Sequence, residues 1–212
     1  MAWTSPKTYV YGELESASDG NTYIRDNIQY LYDNAGGGGQ ARKSLPISSC
    51  YLPDDSTGSA AAQVQRRTSS DATDPQLFWT EALFDDTTNE HIYFEFAMPD
   101  NYASAPVVDV WYKMASAAVN EVIFGAAIHA ASDGDAADMD AEALGTTNDS
   151  GATTVPGTAG YPDVCSITMS NIDSLAANDR VILEVHRHAD HADDDAAGDA
   201  EVFLVVLRWT ST

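Results

Sequence analysis

Positive charge is what this chain has least of. Lys+Arg number 10 against 33 Asp+Glu, a formal net charge of -23, and the lysines are Lys7, Lys43 and Lys113 alone. A surface so short of cations cannot neutralise a phosphate backbone, which excludes nucleic acid as a partner. Cysteine is scarce too. Cys50 and Cys165 fall in separate strand-like segments; a disulfide is open to them, but a buried thiol is the commoner state. No apolar run approaches the ~20 residues needed to cross a bilayer, and Met1 to Thr8 contain no apolar h-region, so neither membrane insertion nor a signal peptide is expected. The motifs of covalent and phosphate chemistry are missing as well: there is no G-x-S-x-G, no Cys/His pair at a recognisable spacing and no glycine-rich phosphate loop. Neither an enzyme nor a cofactor is expected.

What is abundant is aspartate. Of the 33 acids 24 are Asp and 9 are Glu, a balance that resembles proteins of salt-loving microbes. Self-repulsion among so many carboxylates is tolerable where the Debye length is only about 3 Å, as in molar salt. The alternative is a merely acidic surface.

The chain is long enough for one well-filled domain of about 150 residues with a small appendage. Residues Trp3 to Leu14 are aromatic and turn-rich, and read as an extended arm. From Ser18 or Asp19 a helix can begin, with Ile24, Ile28 and Leu31 on one stripe, and it stops at Gly36-Gly-Gly-Gly39. A helix of about 15 residues is marginal alone in water and must dock on something. The division expected is an anchoring arm and helix over 1–35, a glycine-rich hinge over 36–44, and a β domain over 45–212.

Beyond the hinge, short strands are expected at Leu45–Leu52, Gln63–Thr68, Gln76–Phe84, His91–Met98, Pro106–Ala115, Asn120–Ala130, Asp163–Met169, Arg180–His186 and Glu201–Trp209. Alternation places Ile92, Phe94, Phe96 and Met98 on one face, Val181, Leu183 and Val185 likewise, and Glu184 with His186 on the opposite face. With no helix between them, about eight antiparallel strands make a double-sheet jelly roll. The last run has no polar face before Arg208. If Val202, Leu204 and Val206 fill the core, Phe203, Val205, Leu207 and Trp209 need another cover, such as a second copy of the chain.

The opening Trp3-Thr-Ser-Pro-Lys-Thr-Tyr-Val-Tyr-Gly-Glu13, then Asn21-Thr-Tyr-Ile-Arg-Asp-Asn27, resembles the N-terminus of virion structural proteins of tailed viruses, with mild departures at Lys7, Tyr9 and Tyr23. Residues 75–209 also resemble jelly-roll modules of such particles, through Phe96-Ala-Met-Pro99, Val110-Trp-Tyr112, Ser132-Asp-Gly-Asp135 and Leu175-Ala-Ala-Asn-Asp-Arg-Val181. The resemblance implies a virion location, an anchor through Trp3, Tyr9, Ile24, Ile28 and Leu31, and partners such as the major capsid protein or a tail component. It implies a homo-oligomer, a trimer before a pentamer or hexamer. Two roles follow: a capsid-surface decoration or turret, or a tail-fibre or spike module that recognises host glycans or an S-layer.

Candidate sites are sparse. His186, His188 and His191 form an H-x-H-x-x-H string beside Asp190, Asp193, Asp194 and Asp195, where two imidazoles and a loop ligand can hold a transition metal; solvated edge positions are the commoner outcome. Asp133, Asp135, Asp138 and Asp140 make an acidic loop without the ligand spacing of a calcium loop. Of the acids in strand patterns, Glu95, Asp109, Glu121 and Glu184 suit outward positions. Tyr102 and Tyr161, near loops, can stack on a sugar ring or plug the core.

Overall fold

The computed structural model describes residues 39–54, 59–71, 73–136 and 138–212. The arm, the helix and the anchoring residues Trp3, Tyr9, Ile24, Ile28 and Leu31 lie outside them.

The described residues form thirteen strands: β1 (Gln40–Pro46), β2 (Ala60–Ala61), β3 (Gln63–Thr68), β4 (Phe78–Phe84), β5 (Glu90–Ala97), β6 (Tyr102–Met114), β7 (Glu121–Val122), β8 (Phe124–Ala131), β9 (Asn148–Asp149), β10 (Thr153–Thr154), β11 (Asp163–Thr168), β12 (Arg180–Arg187) and β13 (Ala200–Ser211). The helical content of the described residues is one 3₁₀ turn, Ile47–Ser49. Two sheets form a jelly-roll sandwich. One runs β11-β6-β13-β4-β3, with β1 also paired to β13; the other runs β2-β5-β12-β8-β9. All pairs are antiparallel except the two-rung contact of β2 with β5.

Alternation decides what each strand buries. Ile92 and Phe94 of β5, Ala126 and Ile128 of β8, and Val181, Leu183 and Val185 of β12 point inward, against Phe84, Val108, Val110, Tyr112 and Ile167 of the other sheet. Phe124 meets Phe84 edge-on at 6.1 Å and Tyr112 at 5.3 Å. Each of the Val, Leu, Ile and Phe side chains among these contributes about 1.5–3 kcal/mol by leaving water. Cys50 and Cys165 are both free thiols.

Two expectations change. The sandwich begins at Gln40, so the segment read as a hinge over 36–44 runs into β1, which pairs with β13 from Gln40↔Thr210 to Pro46↔Leu204. The apolar run in β13 is the larger correction. Its register against β6 slips between Val202 and Leu204, a β-bulge at Phe203. A bulge adds one residue and reverses the faces beyond it. Val202 therefore lies in the core before the bulge, and Val205, Leu207 and Trp209 lie in it afterwards, while Phe203 is half-buried. The residues assigned to an oligomer interface are thus mostly the module's own core. The bulge falls where β13 changes neighbour: Val202 is its last rung to β4 and Leu204 its first to β1.

At the end of β12, Arg187 points inward and is fully buried. Its guanidinium holds Asp194 through Nη2 at 2.6 Å and through Nε at 3.1 Å, and donates to the carbonyls of Gly198 and Ala196 at 2.8 and 2.5 Å. Asp194 also accepts the amide of Ile123 at 2.9 Å. This aspartate, expected in a solvated acidic loop, is the buried clasp of that loop.

Candidate functional site

The outer face of the five-stranded sheet is built by the residues that alternate with the core. Register places His91 and Gly125 beside His186, Tyr93 and Ala127 beside Glu184, and Glu95 and His129 beside Ile182. Two features share this face.

The first is an open cleft of about 550 Å³, lined among others by Tyr51, Tyr93, His129, Met139, Glu142 and Ile182. Tyr51 is fixed by a two-bond backbone bridge to Tyr93, at 2.9 and 3.0 Å, and the two rings stack at 5.6 Å with 27° between planes. Tyr51 is 42% exposed. Burial, with Glu95 adding to it, raises the Tyr51 hydroxyl pKa, and burial with Glu184 nearby raises that of Tyr93; both phenols stay neutral donors. His129 is buried, and neither ring nitrogen has a hydrogen-bond partner, although Asp173 lies 3.3 Å from Nδ1. A buried imidazole without hydrogen bonds is costly.

The second feature is a row of histidines. Glu184, though on the outer face, is buried, and one of its oxygens contacts both His91 Nδ1, at 2.6 Å, and His186 Nδ1, at 2.8 Å. Burial pushes the carboxyl pKa up, but the bonds from His186 and His91 outweigh it and the net shift is down. Burial lowers that of His186 while Glu184 raises it, and Glu184 wins. Rings follow one another from His91 to His186 (5.1 Å), to His188 (5.7 Å) and to His191 (5.4 Å).

The expected site residues fare unevenly. His186 and His188 do come together, joined by Asp149 as a set whose ligand atoms lie within 4.8 Å of one another. His191 stands outside that set; its Nδ1 accepts the amide of Asp193 at 3.1 Å. Asp133 and Asp135 join no such set among the described residues, and Asp135 accepts the Ser132 amide at 2.7 Å. Tyr102 is buried in the core rather than near a ligand, and Tyr161 is exposed away from the cleft. Of the four strand acids read as outward, Glu184 and Asp109 face outward but are buried under partners.

Sequence reasoning missed Tyr51, His129 and Asp149. The alternation of β8 holds a signal for His129, since Gly125, Ala127 and His129 oppose Phe124, Ala126 and Ile128. Tyr51 lies just past the 3₁₀ turn and Asp149 in a two-residue strand, where no periodicity exists to read.

No family model and no curated protein matches the sequence. Among solved structures, TmCBM61 in complex with β-1,4-galactotriose aligns with a TM-score of 0.38 at 13% identity, over 82% of this chain and 92% of that one. A family 35 carbohydrate-binding module from Clostridium thermocellum gives 0.38 at 7%, over 79% and 97%. The enzymatically active domain of tailspike protein 4 from bacteriophage CBA120 gives 0.35 at 8%, over 85% of this chain and 20% of that one. At such identities the likeness concerns the sandwich alone, and what the cleft binds has to be argued from its own residues.

Proposed function

We propose that this chain is a non-enzymatic virion surface protein whose sandwich recognises a saccharide on the host. One observation carries the reading: the open cleft presents an exposed aromatic, Tyr51, stacked on Tyr93, beside polar lining residues such as Ser59 and Glu142. A sugar ring offers what that combination asks for, an apolar C–H face for the tyrosine and hydroxyls for the polar lining groups. The acidic surroundings favour a neutral sugar over a sulfated or carboxylated one. The virion context rests on the resemblance at Trp3 to Asn27, and the protein acts there as a homo-oligomer attached through the residues before the sandwich.

Binding of the full chain to a panel of neutral oligosaccharides, measured by calorimetry in molar salt, tests the reading. Tyr51→Ala should weaken the best ligand at least tenfold with the fold intact. No saccharide binding at millimolar concentration would overturn it. The second reading, a capsid decoration or turret, is equally compatible with the N-terminal resemblance, which is silent on position in the particle. Tail-less particles that keep the protein would support it.

A further inference from the structure

The histidine row holds a second arrangement, independent of the sugar reading. Gly125 of β8 pairs with His186 of β12 on one side and with Asp149 of β9 on the other. Lacking a side chain, it leaves space between them, and the His186 ring fills it: a Cβ at position 125 would collide with Cε1 and Nε2 of that ring. The ring is held from behind, because its Nδ1 is engaged by Glu184 at 2.8 Å. In the neutral imidazole that fixes the proton on Nδ1 and leaves Nε2 as a lone-pair donor over Gly125.

His188 has a carboxylate near its other end, without a hydrogen bond to it. Its Nε2 lies 3.3 Å from Asp190 Oδ1, and that oxygen is itself fixed by Asn89 Nδ2 at 2.7 Å. The opposite nitrogen, Nδ1, is buried, has no hydrogen-bond partner and lies 3.5 Å from Asp149 Oδ1. That separation is long for a hydrogen bond. It does suit two ligands of one ion: donors about 2.0–2.1 Å from a tetrahedral centre stand about 3.3 Å apart.

We propose that Asp149, His186 and His188 form a binding site for a divalent transition-metal cation of the zinc, cobalt or nickel type. Two imidazoles and one carboxylate match the preference of such ions. Glu184 orients the His186 ring through its hydrogen bond, the outer-shell arrangement that fixes a ligand tautomer in metal centres, and Asp190 stands 3.3 Å from the far nitrogen of His188. Asp149 and His188 are partly open to solvent at 43% and 28%, which leaves a coordination position for water or a ligand atom. The site lies four residues along β12 from Ile182 of the cleft, about 13 Å at 3.3 Å per residue, so the two are separable.

The test titrates Zn²⁺ and Co²⁺ into the full chain in molar KCl, which suppresses loose association with surface carboxylates. One equivalent should bind at micromolar concentration or tighter, and Co²⁺ should develop the visible absorption of a low-coordinate N/O site. His188→Ala and Asp149→Ala, both at partly exposed positions, should each weaken binding at least tenfold and abolish the rise in Tm that Zn²⁺ gives the native chain. Gly125→Ala should weaken binding by displacing the His186 ring. His191→Ala should bind as the native chain does. Absence of stoichiometric binding would overturn the proposal. So would His188→Ala and Asp149→Ala variants that still bind with native affinity, which would place the ion on other groups.

Discussion

At the scale of single residues, four of the module's cations, Arg67, Lys113, Arg187 and Arg208, sit on buried carboxylates. Arg187 is the sharpest case, since both it and Asp194 are wholly shielded from water and every strong contact of one passes through the other or through loop carbonyls. Removing one partner strands the other charge in a low dielectric, which typically costs 3–5 kcal/mol. Arg187→Met should therefore lower unfolding stability by about that much in a denaturant titration, with a smaller loss when Asp194→Leu is added to it. A loss under about 1 kcal/mol for the single variant would mean that water reaches the pair. Asp109 pairs with Arg208 nearer the surface. Burial pushes its carboxyl pKa up, but the Arg208 guanidinium and the Ser166 hydroxyl, which donates at 2.7 Å, bring the net value below the usual range. A carboxyl whose folded pKa is depressed stabilises the fold above its ordinary value near 3.9 and loses that contribution as the pH falls through the folded value. Acid titrations of native protein and Asp109→Asn should therefore converge at the acid end, with the native chain the more stable above pH ~4.

At the scale of elements, β13 shows where alternation stops being readable. Val181, Leu183 and Val185 in β12 announce their face because Glu184 and His186 mark the other one. Between Val202 and Leu207 no polar residue marks either face, so nothing in the sequence shows that an extra residue at Phe203 reverses the phase. The strand itself was legible; its inward side was not. The same limit applies at the sites. His186 and His188 are visible as a motif, whereas their partners Asp149 and Gly125 depend on a pairing of two-residue β9 with β8 that no local pattern encodes. The bulge makes a direct prediction. Leu207→Ala removes a fully buried side chain and should cost about 2–5 kcal/mol. Leu204→Ser, on the half-exposed outer side of the same strand, should cost much less. Equal losses in thermal melts would place both residues in the core and contradict the bulge.

At the scale of the whole molecule, 33 acids against 10 Lys and Arg leave a large excess of negative charge. Arg187, Arg208, Arg67 and Lys113 are taken up by Asp194, Asp109, Glu81 and Glu201, so few cations are left to offset the other carboxylates. Screening should relieve that repulsion while leaving the buried pairs nearly unchanged. Tm should climb steadily from low salt to molar KCl, and a flat profile would show that the surface acids are too far apart to matter. Removing residues 1–38 should leave a folded β-rich protein, because every member of the described core lies between Leu45 and Trp209. An insoluble product would mean that the removed segment completes the core.

The pairing of β1 with β13 has a consequence for how the module is handled and displayed. Gln40 stands opposite Thr210, and Ser211 bonds back to the carbonyl of Gly39 at 3.0 Å. Entry to the sandwich and departure from it are thus neighbours on one sheet, as often happens in modules that tolerate insertion. Whatever is tethered through the residues before Gly39 is tethered, within a rung or two, at Thr212 as well. A fluorescent reporter fused after Thr212 would emerge beside the residues that lead into Gln40, whereas one inserted in the exposed turn near Gly134 would ride on the opposite sheet, close to Met139 at the cleft's rim.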